Sequence, residues 1–179
     1  MPIKTRPAAL AAGLLAFAAQ ADLKPGAQAP DFSTPATLGG VPYTYSLDEA
    51  LKRGPVVLYF YPAAFTKGCT VEAHNFAEAI DEYKALGATV IGVSHDPIAK
   101  LNEFSVSACG GKFPVAADED QKIAKAYDAI LPDNPQYANR TSYVIAPDHT
   151  IIYSYTDMKP VLHVANTLAA LQAWKARQK

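Results

Sequence analysis

The sequence predicts a single α/β domain built on a central mixed β-sheet flanked by helices. Three observations lead there. Residues 56–60, Val-Val-Leu-Tyr-Phe, form an unbroken apolar run between Gly54-Pro55 and Pro62, the pattern of a short strand buried on both faces. A helical period and a second apolar run at 88–93 follow it, and strand, helix, strand in that order makes neighbouring parallel strands. The chain of 179 residues then closes on two further strands and a helix, enough length for one well-buried core and too little to suggest two.

In chain order, residues 22–42 carry Pro25, Pro30, Pro35 and the pair Gly39-Gly40, a turn-rich composition that predicts an extended leader over the domain surface. After the strand at 56–60, Phe76, Ile80 and Tyr83 are spaced four and three. One helix with a buried face is therefore expected from Cys69 to Leu86, stopped by Gly87. The strand at 88–93 gives way to Asp96-Pro97, which starts a helix through Leu101 and Phe104 that ends at Gly110-Gly111. A brief strand at 114–117, a helix at 121–127 and strands at 142–146 and 151–155 follow, the last two joined as a hairpin by Pro147-Asp148-His149-Thr150. Val164, Leu168, Leu171 and Trp174 then predict a C-terminal helix covering one face of the sheet. This order, βαβ and then ββα, fits the thioredoxin-like class of α/β folds, which by itself fixes no function.

Half the residues are apolar, 18% are charged and the net charge is −1, which argues against both a disordered chain and a nucleic-acid binder. Lysines and arginines form no run of five, and there is no internal repeat. The first 21 residues differ in kind from the rest. Lys4 and Arg6 precede an uncharged stretch, 7–19, rich in Ala and Leu, and Ala19-Gln20-Ala21 supplies small residues suited to a cleavage site. Residues 1–21 read as a cleavable signal peptide, and residues 22–179 as the mature domain, periplasmic or secreted and free of the membrane after cleavage. A membrane anchor is the competing reading, but the apolar stretch is shorter than the ~20 residues needed to span a bilayer.

A buried strand that ends at Tyr61-Pro62 and opens a helix a few residues later delivers backbone N–H groups to the sheet edge, where anions are stabilised. Thr66 is a fitting N-cap, and it places Cys69 at the third helical position, inside the turn where unpaired N–H groups and the positive dipole end act. A thiolate is favoured there. A free thiol near pKa ~8.5 is only a few per cent thiolate at neutral pH, and the helix end supplies only ~1 kcal/mol, so a nearby cation has to add more.

Taken singly, Thr66 reads as a cap, Cys69 as a small core residue and Pro62 as a strand terminator. Together, the spacing Pro62-x-x-x-Thr66-x-x-Cys69 within Phe60-Tyr61-Pro62-Ala63-Ala64-Phe65-Thr66-Lys67-Gly68-Cys69-Thr70-Val71-Glu72 resembles the peroxidatic-cysteine motif of peroxiredoxins, the alkyl hydroperoxide reductase and thiol-specific antioxidant family. The flanking residues are most similar to its Q-type, bacterioferritin-comigratory branch, and the likeness runs from about Ala29 to the C-terminal helix. The resemblance implies a thiol-dependent peroxidase with no cofactor and no metal, acting on hydrogen peroxide and organic hydroperoxides. Cys69 would be the nucleophile and Thr66 the hydroxyl that aligns sulfur and peroxide; Pro62 would shield the sulfur, with the backbone N–H groups of Gly68 and Cys69 beside it. The cation would be Arg140, in Asn139-Arg140-Thr141-Ser142-Tyr143, whose guanidinium cannot lose its charge; outside that context Arg140 reads as a surface loop charge. The export signal points to a thioredoxin-like dithiol reductant outside the cytosol; the resemblance further implies a monomer, and it assigns Cys109 as the resolving cysteine within the same chain, about one helical turn beyond the usual site near Ser105.

Other residues are left between two readings. Glu72 falls where Q-type enzymes often carry an acid, or is a solvated first-turn carboxylate. His74, His95, His149 and His163 show no metal-ligand spacing and read as surface or turn residues. Tyr43 and Tyr61 line a pocket or serve packing. Residues 105–112, polar and ending in Gly110-Gly111, suggest a segment with few buried contacts that could open locally. Three rival functions remain. A disulfide reductase of the same fold would need Cys-x-x-Cys, which is absent. A non-catalytic exported domain stapled by a Cys69–Cys109 disulfide explains the cysteine count but leaves Pro62, Thr66 and Arg140 without a role. A one-cysteine peroxidase would be resolved by an external thiol. N-terminal sequencing of protein recovered from the producing cells is expected to begin at Asp22; an intact chain in the cytoplasm would remove the export reading.

Overall fold

Residues 22–178, which the computed structural model describes, run β1 (Ser33–Leu38), β2 (Val41–Ser46), α1 (Leu47–Leu51), β3 (Val56–Phe60), α2 (Lys67–Glu78), α3 (Ile80–Ala85), β4 (Thr89–Ser94), α4 (Ile98–Ser107), β5 (Val115–Ala117), α5 (Lys122–Ala126), β6 (Thr141–Ile145), β7 (Ile151–Thr156), a 3-10 turn (Pro160–Leu162) and α6 (His163–Ala176). The strands form one mixed seven-stranded sheet in the order β2-β1-β5-β4-β3-β6-β7, with β3, β4 and β5 parallel and the remaining pairs antiparallel. This is the predicted α/β architecture with a central mixed sheet. The proposed signal peptide, 1–21, lies outside the described residues.

Every residue of β3 is fully buried, as its unbroken apolar run requires. Alternation sends Val56, Leu58 and Phe60 into a cluster with Leu47, Ile91, Tyr127 and Tyr143 on one face. Val57, Tyr59 and Tyr61 enter the other cluster, with Phe76, Tyr83, Leu101, Phe104, Leu171 and both cysteines. Each such side chain contributes ~1.5–3 kcal/mol by leaving water. Tyr59 fits only because the strand beside it is bare: it pairs with Gly92 of β4, where a Cβ would stand 2.6 Å from the tyrosine ring.

The extended leader proves to be partly a hairpin. Residues 26–29 do lie along the chain at 149–151. From Ser33, however, β1 and β2 pair over six positions through Gly39-Gly40, both at positive φ, a two-residue hairpin turn. The prolines do not prevent it: Pro42 sits on the edge strand, and Pro35 lies outside the β1–β5 ladder, which covers only Ala36 and Thr37. The helix expected over 69–86 is divided at Ala79, whose ψ of 0° ends α2; its carbonyl then accepts from Glu82 and Tyr83 to start α3. α4 stops at Ser107, and a turn through Gly110 and Gly111, both at positive φ, carries the chain on.

The register sets up the site. Phe60 pairs with Val93 of β4 and with Thr141 of β6, so the ends of β3 and β4 and the start of β6 open at one edge of the sheet. Gly92→Ala is expected to destabilise the fold by ~1–3 kcal/mol through overpacking against Tyr59, measured as a lower urea midpoint at unchanged m.

Candidate active site

Three segments meet at that edge: the loop from β3 to α2, the Ser94-His95-Asp96 end of β4, and Asn139-Arg140 ahead of β6. Thr66 is the N-cap of α2, with extended backbone (φ −74°, ψ 149°), so Cys69 occupies the third helical position and is buried. The amides of the first helical turn have no partner within the helix. The Thr66 side chain does not cap them. Its hydroxyl donates instead to the Ala63 carbonyl at 3.0 Å, which leaves the oxygen's lone pairs free.

Arg140 is held from three sides. Its Nε donates to the Met158 carbonyl at 3.0 Å, its Nη1 to Glu72, and its Nη2 stands 3.5 Å from the Cys69 sulfur. Asn139 orients the backbone by accepting from the Arg140 amide at 2.9 Å. Gly68 makes the approach possible, because a Cβ there would lie 3.0 Å from Nη2. Burial works against the Arg140 charge, but Glu72 and Cys69 outweigh it and hold the guanidinium more firmly protonated than usual. Glu72 is wholly buried, and burial lifts its carboxyl to about 8 in spite of Arg140. Behind it lies His163, also wholly buried, with Nδ1 2.8 Å from Ser142 Oγ and Nε2 2.8 Å from the Asp157 carbonyl. Burial, together with the Arg140 charge, lowers His163 to about 4.

The loop 62–66 is pinned by the end of β4. Buried Asp96 accepts from the Ala64 amide at 2.6 Å and from Ser94 Oγ at 2.8 Å, and its other oxygen pairs with Lys100 at 2.7 Å. His95 Nδ1 donates to the Pro62 carbonyl at 3.0 Å. Within the loop, Phe65 holds a left-handed backbone (φ 67°), uncommon for an aromatic residue, with its ring edge-on to Phe104 of α4 at 5.2 Å. A buried cysteine at a helix start, faced by a fixed guanidinium, is a site for thiolate chemistry.

Known proteins agree with that chemistry. Residues 25–154 match the AhpC/TSA family. The chain is 31% identical over 124 residues to peroxiredoxin Bcp of Xanthomonas campestris pv. campestris, covering 66% of this chain and 76% of that protein. It is 35% identical over 130 residues to the chloroplastic peroxiredoxin Q of Triticum aestivum, covering 72% of this chain and 59% of that one. Among solved structures it resembles peroxidoxin BcpB from Mycobacterium tuberculosis with a TM-score of 0.76 at 30% identity, over 84% of this chain and 97% of the other. The chain belongs to the AhpC/TSA family, in its Q-type, Bcp-like branch. It is accordingly a thiol-dependent peroxidase with a thioredoxin-like fold.

In this peroxiredoxin the structure brings Cys69 and Arg140 into contact and sets half-buried Pro62 and exposed Thr66 on the loop before them. Cys109 lies elsewhere in the same apolar cluster as Cys69; both thiols are free, and burial pushes Cys109 up to about 12. Ser105 turns to the β1–β2 hairpin, accepting from the Gly39 amide at 2.8 Å. Several expectations need correction. Glu72 is no solvated carboxylate, because it faces Arg140 in the interior. His163 is no surface residue, whereas His74 and His149 are exposed or in a turn as expected. Arg140 is no loop charge on the surface. The 105–112 segment is not poor in buried groups, since Ser105, Ala108 and Cys109 are all buried. Tyr61 is buried against Tyr59 and Phe104, and Tyr43 stands exposed on the edge strand, so packing and surface account for them. Gly68→Ala is expected to slow peroxide reduction by ~3–10-fold, by shifting Arg140 from the sulfur, with little change in thermal midpoint; stopped-flow oxidation of the reduced protein reads it.

Proposed function

We propose that Cys69 is the peroxidatic nucleophile and Arg140 the group that prepares it, a reading supported above all by the Nη2 donor 3.5 Å from the buried sulfur. The Cys69 thiolate attacks one oxygen of the peroxide, an S–O bond forms as the O–O bond breaks, and the departing hydroxide or alkoxide takes a proton from solvent. Cys69 is left as a sulfenic acid and the peroxide as water or an alcohol. Thr66, with its own proton committed to Ala63, accepts a hydrogen bond from the peroxide O–H and holds it in line with the sulfur. Arg140 and the first amides of α2 steady the negative charge as it moves from sulfur to oxygen. Pro62 screens the sulfur from bulk water.

The cycle closes, in this proposal, by attack of Cys109 on the sulfenic acid, which releases water and leaves a Cys69–Cys109 disulfide for a thioredoxin-like dithiol to reduce. Cys109 cannot do this from its resting place, because a disulfide needs Cα atoms within ~7 Å and a thiol that can ionise. The end of α4 has to open, breaking the bonds from the Cys109 amide to Phe104, from Gly111 to Ser105 and from Lys112 to Cys109. Cys109 stands beyond the last regular residue of α4 and beside two left-handed glycines, which favours such opening. Resolution by an external thiol is the competing reading, and the buried, unionised state of Cys109 is the observation in its favour. An exported, monomeric enzyme acting on hydrogen peroxide and organic hydroperoxides completes the proposal, on the composition of residues 1–21 and the family likeness.

Reduced protein given one equivalent of hydrogen peroxide is expected to consume it rapidly, Cys69→Ser not at all, and Arg140→Ala at least about tenfold more slowly. Peptide mapping of the wild-type product should find the Cys69–Cys109 bridge, and Cys109→Ser should retain a Cys69 sulfenic acid. A wild-type sulfenic acid persisting beside free Cys109 would remove the intramolecular step while leaving the peroxidase in place.

A further inference from the structure

The Glu72 carboxyl has one oxygen satisfied and one stranded. Oε2 receives Arg140 Nη1, whereas Oε1 is buried with no hydrogen-bond partner and lies 3.6 Å from Nδ1 of His163. The imidazole's hydrogen bonds show why no donor reaches it. His163 Nε2 faces the Asp157 carbonyl at 2.8 Å, and a carbonyl can only accept, so Nε2 carries a hydrogen. In the neutral ring Nδ1 is then a bare lone pair, taken by the Ser142 hydroxyl at 2.8 Å. Were the ring doubly protonated, its Nδ1–H would be taken by Ser142, 0.8 Å nearer than Glu72. In neither state does Oε1 gain a hydrogen bond. An ionised oxygen there would be buried, undonated and turned toward a lone pair, among the least favourable settings for a carboxylate.

Charge parity points the same way. One guanidinium, 3% exposed, faces two buried acids, Cys69 from α2 and Glu72 one turn further along it. Among the described residues, the other titratable groups around the pair bring no second cation. Tyr59 of β3 is buried with its phenol held well above its usual range by burial, then by Cys109, Tyr61, Glu72 and Cys69. On the far side His163 meets Asp157 and, ring to ring at 4.9 Å, Tyr155 of β7. Arg140 can balance one anion.

We propose that Glu72 is a neutral carboxylic acid in the reduced protein, its proton on Oε1, and that His163, whose Nδ1 carries no hydrogen to offer that oxygen, is the positioning residue that keeps it so. Burial directions agree, up to about 8 for Glu72 and down to about 4 for His163. The consequence for catalysis rests on the thiol-peroxidase reading. With Glu72 neutral, the Arg140 charge is available to the Cys69 thiolate; when Glu72 ionises, it competes for that charge. Because the folded Glu72 value is raised, the neutral form is present below about 8 and is lost as pH rises through it. Peroxide reduction should therefore fall on the alkaline side, although thiolate formation alone would make it rise to a plateau.

Infrared spectra of the reduced, glutamate-labelled protein at pH 6.5 are expected to show a protonated carboxyl band that shifts in heavy water, is absent from Glu72→Gln and vanishes by pH 9.5. Nitrogen-15 NMR should find His163 with hydrogen on Nε2 and none on Nδ1 at pH 7. The rate constant for oxidation by hydrogen peroxide should drop at least about threefold from pH 7 to 9.5 in the wild type, and Glu72→Gln should lack that limb whatever its absolute rate. His163→Asn, whose amide can donate to Oε1, should move the limb by about one pH unit toward acid, a shift that mere loosening of the fold would not produce. No protonated glutamate band at pH 6.5, or hydrogen on Nδ1 at pH 7, would overturn the proposal. Both spectra are taken on wild-type protein without turnover, so they read it even if a variant fails to fold or the peroxidase reading fails.

Discussion

The site depends on one buried cation having a single place to be. Arg140 is nearly out of solvent, and an uncompensated charge in that position would cost several kcal/mol. The surrounding parts answer to that constraint. The Met158 carbonyl and Glu72 fix two faces of the guanidinium, Asn139 fixes its backbone, and the missing Cβ of Gly68 leaves the third face open to sulfur. The β3–β6 register, Phe60 opposite Thr141, puts Arg140 one residue beyond the strand's start and level with the loop that leads to Cys69. A slip of one residue would turn β6 over and send its inward side chains to the other face.

How much of this could be read beforehand follows from how local each determinant is. The central strand was legible because burial on both faces writes an unbroken apolar run, and Cys69, Thr66 and Pro62 were legible because one short loop and one helical turn fix their spacing. Arg140 lies far along the chain, and only family likeness connected it to Cys69; composition alone made it a surface charge. The β1–β2 hairpin is marked in the sequence by Gly39-Gly40, a two-residue turn signal that the surrounding prolines obscure. Nothing in the residues around Ala79 announces the division between α2 and α3.

The surface reading of His163, the solvated reading of Glu72 and the silence of the sequence on Asp96 have a common cause. A charged or polar side chain is expected at the surface unless partners await it inside, and those partners sit on other elements: Arg140 ahead of β6 for Glu72, Ser142 on β6 and the Asp157 carbonyl for His163, the Ala64 amide for Asp96. Each of these buried polar groups is thus answered by a partner from a different element, beside a core cluster built of aromatic and aliphatic packing.

Phe65 links the two cysteines mechanically. Its left-handed backbone is unfavourable by roughly 1–2 kcal/mol for a residue with a Cβ, and its ring rests on Phe104, whose carbonyl also receives the amides of Ala108 and Cys109. The same residue of α4 thus braces the turn before Thr66 and ties down the chain at Cys109. Any motion that carries Phe104 away removes the brace and the tie together, so the two segments share one latch.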